Sequence, residues 1–215
     1  MVALPYGITP MRAPGARSLR ASARAPSRVV FVSSKSRQSL AGISVTINSR
    51  HVIGDHFWLW RADHGKGVGW DVNVTKNGLI VNGDQVTIYG LFVEHYHQVQ
   101  TLWNGNGGRL YFYQCEMPYD PPSKEAWSHD GIEGYASYKV ADTVTDHQAW
   151  GLGVYCVFKD GPIIAENAIE APDASGVQLR HLVAIRLNGQ PGSGIRHILS
   201  GKGGPVIYTR KAILN

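Results

Sequence analysis

The first 39 residues hold no acidic side chain, charge is sparse throughout, and long apolar runs are missing. Charged residues make up 17% of the 215, against 25 glycines and 10% aromatics. That balance argues for a turn-rich β protein over a helical bundle. No stretch approaches the roughly 18 apolar residues a membrane-spanning helix needs, so no membrane partner is expected. Two cysteines, Cys115 and Cys156, cannot build a disulfide framework, and each reads as a buried free thiol within an apolar strand. There is no His-Glu-x-x-His and no Cys/His set with zinc-ligand spacing, so no metal and no cofactor is expected. His95 and His97, two apart, would share a face of one strand, which is thin support for a metal site.

Charge is unevenly placed. Arg12, Arg17, Arg20, Arg24, Arg28, Lys35 and Arg37 supply seven positive charges before residue 40. Removing them from the net +5 leaves −2 for residues 40–215. The basic pI of about 9.2 therefore describes the N-terminal stretch and gives no ground for a nucleic-acid partner. Residues 1–42 are expected to be a disordered or unrelated leader. An organellar transit peptide and a misjoined reading frame are equally open, and only Val29–Val32 looks strand-like. The apolar core of a secretory signal is missing from this stretch.

From Ile43 onward short apolar or alternating runs recur. They are Ile43–Ile47, Val52–Trp60, Gly78–Val81, Val86–Val93, Leu110–Cys115, Tyr138–Val140, Val154–Phe158, Ile163–Ala165, Val177–Leu187 and Ile195–Leu199. Gly, Asn, Asp or Pro separates most of them, and none keeps a helical period, so the domain at 43–215 is all-β. The segments "VTIYGLFVE" and "GRLYFYQCE" match at an offset of 22, pairing Ile88 with Leu110, Phe92 with Gln114 and Glu94 with Glu116. An Asn-Gly pair precedes each, at Asn82-Gly83 and Asn106-Gly107. A repeat of this length with short strands is the mark of a solenoid, with some seven or eight coils. Asn-Gly also suits a hairpin, so an antiparallel meander stays open on pattern alone.

In a parallel stack, Glu116 would sit one coil from Glu94 on the same face, about 4.8 Å away. Like charges that close raise one pKa, leaving a carboxylic acid able to donate a proton. The bland alternative is a pair of solvated or hydrogen-bonded acids without catalysis. Trp103, Tyr119, Trp127 and Trp150 fall in or beside loops, where rings stack on sugar faces while Asn104, Asn106 and His95 meet hydroxyls. Core packing competes with that role for each tryptophan. Trp58 and Trp60, alternating with Phe57 and Leu59, read as packing. The segment "HGKGVGWD" lacks the ending of a phosphate loop and reads as a surface loop. Asn73-Val74-Thr75 is a glycosylation sequon, relevant only in a secreted eukaryotic protein.

The stretches "INSRHVIGDHFWLWRADHG", "GLIVNGDQVTIYGLFVEHYHQVQTLWNGNGG" and "YFYQCEMPYDPP" resemble the C-terminal β-helix half of proteins related to glycoside hydrolase family 55, the exo-β-1,3-glucanases. The likeness runs from about Ile43 to Pro205. It implies a right-handed, single-stranded parallel β-helix of the pectin-lyase-like kind, here a partial solenoid, as half of a two-helix architecture with the substrate between the halves. It implies an extracellular, inverting glycosidase acting on β-1,3-glucan. The family's Gln-x-Glu-x-Pro-Tyr motif falls on Gln114, Glu116, Pro118 and Tyr119, and makes Glu116 the general acid, with Gln114 a substrate contact and Glu94 its neighbour. The expected partner is a polysaccharide or oligosaccharide. Two alternatives stand beside this. One is a non-catalytic polysaccharide binder or degenerate fragment. The other, more remote, is an adenylyl cyclase, a label relatives carry; no pair of metal-binding acids supports it, and Asp142 and Asp146 are spaced like surface acids. An open solenoid end exposes apolar rungs, so a cap, a partner chain or self-association is expected over the coil near Ile43.

Overall fold

The computed structural model describes residues 41–215 and the backbone of three short segments before them. Strands are numbered in chain order. One sheet holds β1 (Met11–Ala13), β2 (Ala16–Leu19), β4 (Ile43–Ile47), β6 (Asn77–Val81), β8 (Thr101–Trp103), β12 (Tyr138–Val140), β14 (Ile164–Glu170) and β16 (Gly194–Leu199). The other holds β3 (Ser27–Arg28), β5 (Ile53–Trp60), β7 (Thr87–Glu94), β9 (Gly108–Glu116), β13 (Asp146–Phe158), β15 (Gly176–Gly189) and β17 (Lys211–Leu214). A small hairpin, β10 (Ser128–His129) and β11 (Ile132–Glu133), stands apart. No helix occurs among the described residues.

From β4 to β16 the chain passes from one sheet to the other and back, apart from the hairpin, and each strand pairs in parallel with the next of its own sheet. The antiparallel meander is thereby set aside. The 22-residue offset is the rung height between β7 and β9, with Ile88 against Leu110, Phe92 against Gln114 and Glu94 against Glu116. The expected leader falls mostly outside the described residues, as does Val29–Val32. The segments that are described lie in register: β2 places Arg17 beside Val45, and β3 places Ser27 beside Gly54.

Each strand of the second sheet bends at one fixed place. Asp55, Tyr89, Tyr111, Trp150 and Arg180 align across rungs, as do Phe57, Leu91, Tyr113, Leu152 and Leu182. Between these rows lie His56, Gly90, Phe112, Gly151 and His181, all left-handed, with φ of 52, 66, 68, 70 and 58°. Glycine enters this conformation freely, whereas Phe112 and the histidines adopt it against their intrinsic preference. The bend resets the in-out alternation. Ile88, Leu91 and Val93 point inward, and so do Leu110, Tyr113 and Cys115 one rung on, each no more than 1% exposed. Burying an aliphatic side chain of this size is worth roughly 1.5–3 kcal/mol, so these inward columns hold the stack together.

The turns stack as well. Asn82 donates to Asn48 at 2.8 Å, and Asn104 donates to Asn82 at 2.7 Å. Gly83 and Gly105 beside them pass so close to the preceding rung that a Cβ on Gly105 would strike the carbonyl of Gly83. The Asn-Gly pair that stacks on Asn82-Gly83 is thus Asn104-Gly105, two residues before the expected Asn106-Gly107, and it marks rung-to-rung contact and not a hairpin. At the other end β17 runs antiparallel along Leu182–Ile185 of β15 and closes part of the last rung. Cys115 and Cys156 are free and buried, as the sequence suggests, and burial pushes both thiols up, Cys156 to about 12.

Candidate functional site

Glu94 and Glu116 end β7 and β9 one rung apart, where both strands leave the sheet. Trp60 precedes them in this column and Tyr155 follows. Glu94 is only 9% exposed. Its Oε2 accepts a hydrogen bond from Trp58 Nε1 at 2.9 Å. Burial raises the Glu94 pKa above 4.5; the bonds from Trp58 and Gln114 pull it down, while the charges of Glu116 and Asp63 push it up. The neutral acid is therefore favoured at this position over an ordinary glutamate.

Glu116 is more open, with 24% of its side chain exposed. Its Oε2 accepts from the Tyr119 hydroxyl and lies 3.9 Å from His95 Nε2. His95 is almost fully buried in a left-handed conformation that turns the chain out of β7. Its Nδ1 lies 3.3 Å from Asp63 Oδ2 and 3.2 Å from the Met117 carbonyl. Burial lowers the His95 pKa, only partly offset by the Asp63 charge, so the ring is neutral near pH 7.

The loop after β5 supplies the rest. The buried Asp63 carboxylate accepts the Tyr119 backbone N–H at 2.9 Å and meets His64 Nδ1 at 2.6 Å. His64 stacks on Tyr119, with ring centres 5.7 Å apart. Arg61 donates to the His95 carbonyl and to Asp120, whose pKa is raised by burial against the opposing pull of the Arg61 charge. Lys159 Nζ sits 4.5 Å from the centre of the Tyr119 ring. The site is thus a partly open acid, a buried acid beside it, and a scaffold of His, Asp and Tyr locked by hydrogen bonds.

Glu94, Glu116, Gln114, His95 and Tyr119 come together here. Trp103 and Trp127 do not, since at 0% and 1% exposure they offer no face to a sugar. Trp103 packs on His147 inside the stack, and Trp127 donates from Nε1 to the His97 carbonyl while packing on Phe158. Asn104 and Asn106 lie before β9, at its far end from Glu116; Asn104 belongs to the asparagine ladder, and Asn106 Oδ1 accepts the backbone N–H of Thr145 and Asp146. Trp150 lies across the bend from Glu116, stacked on Tyr111 at 4.9 Å, which stacks on Tyr89 at 5.1 Å.

Trp58 corrects the packing reading: it is 52% exposed and touches Glu94. Its neighbours Phe57 and Leu59 take the inward positions instead. Arg61, Asp63 and His64 escape sequence reasoning because the loop after β5 brings them to the ends of β7 and β9, and Asp120 because it lies in the loop that follows β9; alternation predicts nothing about loops. His97 spends both ring nitrogens on the backbone: Nε2 donates to the Trp70 carbonyl at 2.8 Å and Nδ1 accepts the Thr75 N–H at 3.2 Å. Asn73 is buried, with its side-chain amide bonded to the backbone of Ala62 and Gly69, so the sequon is a structural asparagine. Asp146 pairs with Arg109 at 3.1 Å and is committed there.

Stacked parallel strands carrying a paired-carboxylate site define an all-β protein of the pectate lyase-like kind, and the comparisons agree. The LAM55 pectate lyase-like domain matches residues 12–116. An exo-β-1,3-glucanase of Streptomyces sp. (strain SirexAA-E / ActE) is 42% identical over 166 residues, covering 77% of this chain and 27% of that protein. The structure of sacteLam55A from Streptomyces sp. SirexAA-E superposes with a TM-score of 0.77 at 39% identity, over 82% of this chain and 32% of the other. A variant of sacteLam55A in complex with glucose gives a TM-score of 0.76 at 35% identity, over 92% and 34%. The chain is related to the proteins of glycoside hydrolase family 55, and it spans about a quarter of the length of the curated relative it matches.

Proposed function

We propose that the chain is a right-handed parallel β-helix, a partial solenoid of the pectin-lyase-like kind, and that it supplies the acid-bearing part of a glycoside hydrolase acting on β-1,3-glucan. Glu116 is the general acid in this reading. The observation that carries it is the pairing of Glu94 and Glu116 on adjacent parallel strands, with Glu116 the more open of the two. The relative that acts on β-1,3-glucan and the related glucose complex support the substrate class.

The chemistry follows from the surroundings. Glu94, buried and favouring its neutral form, keeps a proton within the pair. Glu116 faces the open side and, in this reading, delivers a proton to the departing glycosidic oxygen. Tyr119 and His95 fix the position of the Glu116 carboxyl through its Oε2. Inversion needs a water between acid and base, with the carboxyls roughly 6.5–9.5 Å apart. Glu94, a rung away at about 4.8 Å, is too close for that role. The water-holding groups therefore lie beyond this pair. Hydrolysis of laminarin-like glucan by wild type and Glu116→Gln tests the assignment: sugar release is lost in the variant, and undiminished release overturns the reading.

The second reading, a polysaccharide binder without turnover, draws on the outward stack Tyr89–Tyr111–Trp150. Glucan affinity without sugar release in wild type, lost when Tyr111 or Trp150 is truncated, would establish it.

A further inference from the structure

The Asp63 carboxylate is buried between two imidazoles. An ionised carboxylate out of water needs a compensating positive charge or a full set of donors. The nearby Arg61 guanidinium gives Nε to the His95 carbonyl and Nη2 to Asp120, and makes no hydrogen bond to Asp63. What faces Asp63 instead is His64 Nδ1 at 2.6 Å, His95 Nδ1 at 3.3 Å and the backbone N–H of Tyr119 at 2.9 Å.

We propose that Asp63, His64 and His95 form a divalent-cation site suited to a borderline ion such as Zn2+, at the edge of the carboxylate pair. One oxygen and two nitrogens lie within 4.8 Å of one another. A tetrahedral ion with bonds of about 2.0–2.1 Å holds its ligands roughly 3.3–3.5 Å apart, so small rotations close the set. The imidazoles stand edge to face at 87°, with centres 5.9 Å apart, which lets both Nδ1 atoms converge on the carboxylate instead of stacking past each other. Two imidazoles and a carboxylate are the mixed donor set that borderline ions prefer.

An independent observation is the shell behind these ligands. A metal-bound imidazole ordinarily gives its other N–H to a carboxylate, and a ligating carboxylate is itself hydrogen-bonded. His95 Nε2 faces Glu116 Oε2 at 3.9 Å, and Asp63 Oδ2 already accepts from Tyr119. With the proton on Nε2, His95 presents the Nδ1 lone pair and releases the Met117 carbonyl. His64, with 52% of its side chain exposed, opens the site to solvent and leaves room for water as a fourth ligand.

Because His95 also flanks Glu116, an occupied site would pin the ring and draw on the acid's charge. That consequence rests on the glycosidase reading, but the site itself does not. The test is therefore binding without sugar. The full chain, stripped with chelator, is titrated with Zn2+ by calorimetry and with Co2+ by visible absorption. One equivalent should bind, with a tetrahedral Co2+ band. His64→Ala, which removes an exposed ring, and Asp63→Asn should each weaken binding at least about tenfold. His56→Ala, at an exposed Asp–His pair elsewhere, should leave it unchanged. Absence of a saturable signal in wild type, or an affinity that follows His56 and ignores His64, overturns the proposal. Since His64→Ala leaves the buried residues in place, misfolding of Asp63→Asn would not obscure the outcome.

Discussion

Glu94 and Glu116 occupy paired positions on β7 and β9, so two carboxylates 22 residues apart in sequence become neighbours one rung apart. Burial and the second charge raise the Glu94 pKa above 4.5. The folded protein therefore holds a proton there that the unfolded chain releases. The resulting contribution to stability is present below pH 4.5 and lost as pH rises through the folded pKa. Glu94→Gln keeps an acceptor for Trp58 and removes the titration. Its melting temperature should gain on wild type as pH rises from about 4 to 7, and parallel melting curves across that range would refute the assignment.

Trp58 donates to Glu94 and so opposes that shift. Replacing it with Phe keeps the ring and deletes the donor. The Glu94 carboxyl, followed by carbon-13 NMR, should titrate at higher pH in Trp58→Phe than in wild type. Stability should change little, because the ring is half exposed.

His147 lies fully buried against Trp103, with Nε2 on the Tyr138 hydroxyl at 2.8 Å, and burial pushes its pKa down to about 3. Between pH 6.5 and about 3 the unfolded histidine takes up a proton that the folded one refuses. Stability is therefore complete above 6.5 and falls with pH below it, by up to about 1.4 kcal/mol per unit from this group. His147→Phe should be less stable at pH 7, having lost the Tyr138 bond, yet show a shallower decline between pH 6 and 4. Denaturant unfolding at several pH values reads both effects.

Gly105 passes so near the Gly83 carbonyl that a methyl group would push two rungs apart. Gly105→Ala should cost about 1–3 kcal/mol, lowering the melting temperature by several degrees. Gly161→Ala, where a Cβ meets nothing within 4 Å, is the matched control and should melt close to wild type.

Much of the stack was legible because each rung repeats its inward pattern. Ile88 and Leu110, or Glu94 and Glu116, align in sequence since the same backbone path recurs after 22 residues. The bend was harder to see. Glycine marks it at Gly90 and Gly151, but His56, Phe112 and His181 hold the same left-handed place without that signal. Trp103 looked like a loop residue open to sugar and is a core residue, because a short β8 followed by an asparagine turn folds it inward.

The sequence by itself determined the all-β texture and the two glutamates at matching positions, since these depend on local alternation and on one 22-residue match. The other rungs differ in length, as Ile53 against Thr87 and Gly108 against His147 show, so the described stack has fewer coils than the seven or eight expected. Only the tertiary structure decided which loop reaches which strand end. Asp63 and His64 meet His95 and Tyr119 because the β5 exit loop crosses to the ends of β7 and β9. The folded chain also decided that Trp58 faces solvent while Trp103 and Trp127 are buried. Contacts between segments 30 or more residues apart are set by how the rungs stack, and no local pattern records them.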